Sequence, residues 1–302
     1  MDARLSLHLV SRLGEAGAFE AAADSKRSRQ IYWDDAAETY DQDFTSTLIG
    51  QLLRRRIWRE LDRIYCQGER ILELNCGTGI DARHLAERGI AVLACDISPR
   101  MIKLARQSQS AQELGDRIDF QVLATECLAS LGDQGPFDGA FSNFSGLNCV
   151  EDLGQLRRNL ARLVRPGAPV LLCMLGRFVP WEIAWFLVHG DRSSAMRRLR
   201  QNTCHPPQTG LPKVHYPSVH EIAAAFAPDF RLRNWKGLGI FLPPSYMEHW
   251  ARRFPRIARA LDRADGIFAN VPVVRSMADF VLLDFRRMES TSADNADHLA
   301  GP

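Results

Sequence analysis

Two short segments carry residue types that can grip a nucleotide-like ligand. An apolar run, Ile71-Leu72-Glu73-Leu74, turns through Asn75-Cys76-Gly77-Thr78-Gly79 into a helical pattern. Glycines at such a turn let a ligand approach backbone that a Cβ would hold away. The helix that follows presents N–H groups with no partner inside the helix. Roughly twenty residues further on, a second apolar run ends at Cys95-Asp96. A carboxylate at a strand tip beside a glycine turn can accept both ribose hydroxyls, so the pair points to a cofactor carrying adenosine. The plainer reading of Asp96 is a helix-capping or solvated aspartate.

Gly77-x-Gly79-x-x-Ala82 also satisfies the dinucleotide pattern, which brings in a nicotinamide or flavin oxidoreductase. Three features weigh against that class. Glu73-x-Asn75-Cys76 separates the strand from the first glycine. Asp96 is followed by Ile97-Ser98-Pro99-Arg100-Met101, which brings an apolar side chain towards an adenine ring. Nothing downstream supplies an acid–base pair suited to hydride transfer.

Taken together these segments resemble the class I S-adenosylmethionine-dependent methyltransferases, in particular the group with a generic domain that acts on small molecules. The resemblance covers roughly residues 30–175. ELNCGTG at 73–79 resembles the glycine motif, and ACDISPRMIKLAR at 94–106 the ribose motif with its helix. FDGAFSNFSGLNCVEDL at 137–153 is similar to the fourth strand and the loop beside the methionine part of the cofactor. LVRPGAPVLL at 163–172 is similar to the turn before strand five. The resemblance implies S-adenosylmethionine as cofactor, approached by Gly77 and Gly79 in the motif that also holds Glu73 and Asn75. It further implies Asp96 on the ribose, Ile97 and Met101 about the adenine, and Asn143 on the methionine side. YWDDAAETYDQDF at 32–44 resembles the N-terminal lid, with Tyr40 closing over the cofactor or serving as a core aromatic.

Two departures stand out. Asn75 takes a place where the family commonly has glycine, and asparagine tolerates the left-handed backbone such a turn needs. The third strand, which in the family ends in Gly-Asp-Ala, here runs into Leu123-Ala124-Thr125-Glu126. The adenine amino group then falls to Thr125, Glu126 or backbone.

Methyl transfer from a sulfonium is an in-line displacement with a good leaving group. Positioning supplies much of the acceleration, and a base is needed only where the acceptor must lose a proton. Of His189, His205, His215 and His220, the pair His215 and Tyr216 is the favoured catalytic candidate, against a structural role for each histidine. Phe178, Trp181, Trp185 and Phe186 suggest an aromatic acceptor pocket or simply the core of their own segment. Arg197, Arg198 and Arg200 read as a solvated helix face rather than a grip for a phosphate or carrier protein.

The elements that must position these residues alternate as strands and helices, which predicts a doubly wound, Rossmann-like α/β fold. The strands are expected at 70–74, 91–95, 118–123, 139–142, 170–175, 230–235 and 280–285. The sheet is mostly parallel and seven-stranded, and the resemblance puts an antiparallel seventh strand at its edge. Ser98 and Pro99 mark a helix start. Residues 1–30 are expected to form a loose helical or disordered arm, 31–288 the methyltransferase domain with a helical cap insertion at 177–216 after strand five, and 289–302 a disordered tail.

Across 302 residues, 38 basic side chains face 36 acidic ones, a net charge of +2 that draws the chain to neither nucleic acid nor an anionic membrane. The fourth strand ends in SNFS where base-methylating relatives often carry a stacking Pro-Pro-Tyr. Seven scattered cysteines without a C-x-x-C pair suit a reducing compartment and no metal. No leader-like or membrane-length apolar run appears, which predicts a soluble cytoplasmic protein, with a homodimer left open. The leading function is O-methylation of a small apolar or aromatic metabolite. The alternatives are N- or C-methylation, a nicotinamide oxidoreductase, or a non-catalytic binding protein.

Overall fold

The computed structural model describes residues 18–108, 113–200, 202–203 and 212–289. Its strands are β1 (Arg70–Leu74), β2 (Ala91–Asp96), β3 (Ile118–Val122), β4 (Gly139–Ser142), β5 (Pro169–Leu175), β6 (Asn202–Thr203), β7 (Val214–His215), β8 (Phe230–Leu238) and β9 (Phe280–Arg287). Seven of them form one sheet in the order β3-β2-β1-β4-β5-β9-β8, while β6 and β7 pair as a small separate ribbon. β1 to β5 run parallel, and β9 lies antiparallel to both of its neighbours.

The antiparallel strand is therefore not at the edge, contrary to expectation; β8 is. The residue types explain the exchange. β9 reads Phe-Val-Leu-Leu at its start and is buried there, which suits an interior strand covered on both faces. β8 reads Phe-Arg-Leu-Arg-Asn-Trp-Lys, and charged side chains on an edge discourage further strand pairing.

Helices cover both faces: α1 (Ala18–Tyr40), α2 (Leu48–Ile64), α3 (Ile80–Glu87), α4 (Pro99–Gln107), α5 (Leu153–Leu163), α6 (Pro180–Val188), α7 (Arg192–Ala195), α8 (Val219–Phe226), α9 (Glu248–Arg253) and α10 (Pro255–Phe268). Ile49, Leu53 and Ile57 of α2 pack with Leu85 of α3 and Ile102 of α4 over one face. Leu156 and Leu160 of α5 and Phe226 of α8 fill the other. α4 begins as its residue types dictate: Pro99 sits in the first turn and the Ser98 hydroxyl accepts the amide of Met101.

α1 runs unbroken through residue 30, so the described part of the expected arm is the first half of this helix. Residues 1–17, 290–302 and His205 lie outside the described residues. Between β5 and α8 the chain forms α6, α7, a short 3₁₀ turn at Arg197–Arg200 and the β6–β7 ribbon. Among the described residues no helix is long and apolar enough to cross a membrane.

Candidate functional site

The C-terminal ends of β1 and β2 bring the glycine turn and Asp96 into direct contact. The Gly77 amide donates to Asp96 Oδ2 at 2.9 Å, and the Ser98 amide donates to Oδ1 at 2.9 Å. Each carboxylate oxygen keeps acceptor capacity beyond its one backbone bond. Burial pushes the Asp96 carboxyl up to about 6, against the pull of the Ser98 and Gly77 amides. Gly77 has φ 54°, and a Cβ built there would meet nothing nearer than the Tyr40 ring at 3.8 Å. The turn therefore leaves a backbone-lined cradle beneath Tyr40, with a carboxylate beside it, and these residues fit an adenosyl cofactor. Gly79 serves a different purpose. At φ 73° its Cβ would strike Phe120 at 2.5 Å, so this glycine lets helix and sheet close together.

Asn75 adopts φ 56°, the left-handed backbone expected of it. Its side chain ties three strand ends together, donating to Thr125 Oγ1 at 3.1 Å and accepting from Ser142 Oγ at 3.0 Å. Asn75 and Thr125 thus brace the cradle by bonding each other. Glu73 is buried, and burial holds its carboxyl well above the usual range. Met101 is buried at the start of α4, with Ile97 partly exposed before it.

Asn143 belongs to a buried polar cluster that residue spacing did not reveal. It donates to Asp81 Oδ2 at 2.7 Å, and Arg54 donates to the same oxygen at 2.6 Å, while Trp58 Nε1 donates to Oδ1 at 2.7 Å. Burial alone would raise the Asp81 carboxyl; the Arg54 charge and these hydrogen bonds win, and it sits below the ordinary carboxylate range. The arginine also lies over the Phe144 ring at 4.7 Å. An arginine facing inward from an apolar helix stripe in α2 was the available signal, legible only once a partner is placed opposite it.

α1 crosses the strand ends as a lid. Asp34 accepts the Ser98 hydroxyl and, at 3.0 Å, the Arg100 amide; Asp41 Oδ1 accepts the Thr78 hydroxyl at 2.9 Å. Arg29 donates to Glu126 Oε1 and to the Cys149 carbonyl at 2.9 Å. Glu126 Oε2 is buried with no hydrogen-bond partner among the described residues. Tyr40 sits at the end of this lid, its ring 6.0 Å from that of Phe44, with its hydroxyl pushed up to about 12 by burial.

Beside the cradle lies a cavity of about 180 Å³ lined by Tyr32, Trp33, Tyr40, Phe144, Tyr216 and Tyr246 among others. Phe178, Trp181, Trp185 and Phe186 do not line it: the aromatic wall comes from α1 and the turn after it, the β4 loop, Tyr216 after β7, Tyr246 before α9 and Phe280 of β9. Phe186 packs beneath Arg197 instead, and Phe178 is partly exposed. Val214 and Tyr216 line the cavity and His215 does not, because successive side chains of an extended strand point to opposite sides. His215 faces Lys213, Glu151 and Arg29, and burial with Lys213 holds its pKa below the usual value.

Arg197 and Arg198 are buried rather than solvated, which corrects the reading of this stretch as an exposed face. Both grip Glu182, and Arg198 also donates to Asp279 Oδ1 at 2.7 Å. A carboxylate from α6 and another from the start of β9 draw the two cations inward, a pairing that lies far apart in the chain.

Comparisons with known proteins agree with this geometry. Residues 71–167 match a family model described as a methyltransferase domain. The chain is 30% identical over 241 residues to a malonyl-[acyl-carrier protein] O-methyltransferase of Serratia marcescens, covering 76% of this chain and 79% of that one. It is 32% identical over 144 residues to an Escherichia coli tRNA 5-carboxymethoxyuridine methyltransferase, covering 46% of this chain and spanning 54% of that relative's length. A relative that is a tRNA methyltransferase removes the exclusion of nucleic acid that was drawn from net charge and the SNFS strand end. In fold, the chain is similar to the Burkholderia thailandensis 1,6-didemethyltoxoflavin-N1-methyltransferase, with a TM-score of 0.55, 15% identity and coverage of 93% and 94%. The glycine cradle, the carboxylate at the tip of β2, the strand order and these similarities together place the chain in the class I S-adenosylmethionine-dependent methyltransferases.

Proposed function

We propose that this chain transfers a methyl group from S-adenosylmethionine to an oxygen of a small, largely apolar acceptor held in the cavity beside Tyr40. The observation that carries the reading is the adjacency of the Gly77–Asp96 cradle to an aromatic-walled cavity, with Tyr40 belonging to both. S-adenosylmethionine, when bound, supplies an electrophilic methyl group on a sulfonium.

The chain's own residues bind, orient and exclude water. Gly77 and Asp96 are placed to hold the nucleoside end. Asn143, held by Asp81 at the end of β4, is read as flanking the methionine part of the cofactor. The rings of Trp33, Tyr40, Phe44 and Phe144 wall the acceptor space and keep solvent from the reacting centre. Burial holds the hydroxyls of Tyr32, Tyr216 and Tyr246 above the ordinary tyrosine range. They therefore act as neutral hydrogen-bonding groups rather than bases, and positioning supplies the acceleration. Oxygen as the methylated atom is supported by the Serratia relative, an O-methyltransferase. A cytoplasmic setting is supported by the six described cysteines, all free.

Calorimetric titration with S-adenosylmethionine, S-adenosylhomocysteine and NAD tests the cofactor. Binding of the first two and not the third is expected, and failure of both to bind overturns the reading. Mass spectrometry on a panel of hydroxylated metabolites and carboxylic acids, with tRNA as a separate arm, then reads the acceptor by a gain of one methyl.

A further inference from the structure

The cavity is lined by a buried cation that keeps one donor unused. Arg197 is buried and lines the cavity. It donates through Nε at 2.9 Å and Nη2 at 2.8 Å to Glu182, and makes no other hydrogen bond among the described residues. Glu182 is not its alone, because Arg198 donates to the same carboxylate through Nε and Nη2. Arg198 is fully engaged: its Nη1 reaches the carbonyls of Gly176 and Asp279, and its Nη2 reaches Asp279 Oδ1. The two guanidiniums and the two carboxylates balance in charge, but both arginines share Glu182 and Asp279 bonds Arg198, so Arg197 keeps Nη1 without a hydrogen bond among the described residues. A buried guanidinium with a spare donor is costly unless an acceptor meets it.

The same cavity is lined by a second unmet group. The Tyr246 hydroxyl is buried, lines the cavity and has no partner among the described residues. Arg197 and Tyr246 are neighbours across one ring: the guanidinium lies 5.3 Å from the Phe186 centroid, and the Tyr246 ring centroid is 6.1 Å from it. Both donors belong to residues that line the same cavity, so one acceptor group with two lone-pair sites can meet both. The two nearby carboxylates limit how much further negative charge this site tolerates, which favours a monoanion over a phosphate dianion.

We infer that the acceptor carries a carboxylate, bound in the cavity by Arg197 Nη1 and the Tyr246 hydroxyl. This rests on reading the cavity as the acceptor site. Arg197 is a binding and specificity residue, while Glu182 and Arg198 position it.

The test is isothermal titration of the enzyme, with and without saturating S-adenosylhomocysteine, using matched acid and primary amide pairs. The probes are phenylacetate, 4-phenylbutyrate and hexanoate, their amides, and phenyl phosphate. At least one acid is expected to bind about tenfold or more tightly than its amide, the effect of one charge-assisted contact. In Arg197→Gln that preference falls below about twofold, and in Tyr246→Phe it falls several-fold, both with unchanged S-adenosylhomocysteine affinity. The inference is overturned if no acid outbinds its amide, if phenyl phosphate binds tightest, or if Arg197→Gln keeps the preference. The wild-type comparison and Tyr246→Phe decide the matter even if Arg197→Gln does not fold. Failure to bind S-adenosylhomocysteine would sink the methyl-transfer reading separately, because the acid–amide comparison is also run without it.

Discussion

The Gly77 amide donates to Asp96 Oδ2 at 2.9 Å, so the turn after β1 and the carboxylate ending β2 form one hydrogen-bonded unit. Ribose recognition and turn geometry are therefore coupled. Asp96→Ala removes an acceptor for two hydroxyls, each such bond to a charged group being worth about 1.5–3 kcal/mol. The expected loss in S-adenosylhomocysteine affinity is at least about a hundredfold, read by calorimetry. Gly77→Ala strains a residue at φ 54° and narrows the cradle, and is expected to weaken binding by about tenfold or more.

Burial holds the Asp96 carboxyl up to about 6, above its unfolded value near 4. Two hydroxyl donors require the ionised form, so S-adenosylhomocysteine affinity should rise between about pH 5 and 7 and then level. The stability effect has the opposite sign. A raised folded pKa stabilises the fold below the unfolded value, and that contribution is lost as pH rises through about 6. Asp96→Asn should flatten both dependences; an unchanged binding profile in that variant would assign the titration elsewhere.

Asn75 combines a left-handed backbone with two side-chain hydrogen bonds. Glycine accepts the backbone but forfeits the bonds, whereas alanine forfeits both. Asn75→Ala should destabilise by about 2–3 kcal/mol and Asn75→Gly by about 1 kcal/mol less, in urea unfolding. Equal losses would show that the backbone conformation contributes nothing.

Arg54 neutralises Asp81 in the interior. Arg54→Met leaves that carboxylate buried without its cation and should cost about 3–5 kcal/mol. The double variant Arg54→Met/Asp81→Leu should recover much of the loss, a coupling that urea denaturation of the two singles and the double will read.

His215 lies outside the cavity lining. His215→Ala is expected to leave S-adenosylhomocysteine affinity and the pH profile of methyl transfer unchanged, measured by calorimetry and a methyl-incorporation assay. A fall in turnover of about tenfold with binding intact would restore it as a base.

Local sequence determined the strand-and-helix alternation, the glycine turn with Asp96 at the next strand tip, the Ser98–Pro99 helix start and the left-handed Asn75. Each of these depends on residues near one another in the chain: apolar periodicity, a missing Cβ, a capping hydroxyl. The tertiary structure decided the rest. It put β9 inside the sheet, turned His215 away from the cavity, drew Arg197 and Arg198 inward onto Glu182 with Asp279 bonding Arg198, and brought Arg54 and Asn143 together on Asp81. Spacing alone does not say whether an arginine meets water or a carboxylate. The cost of burying a charge is met only by a partner that folding brings from a distant segment, so its burial is a property of the pair and not of the residue.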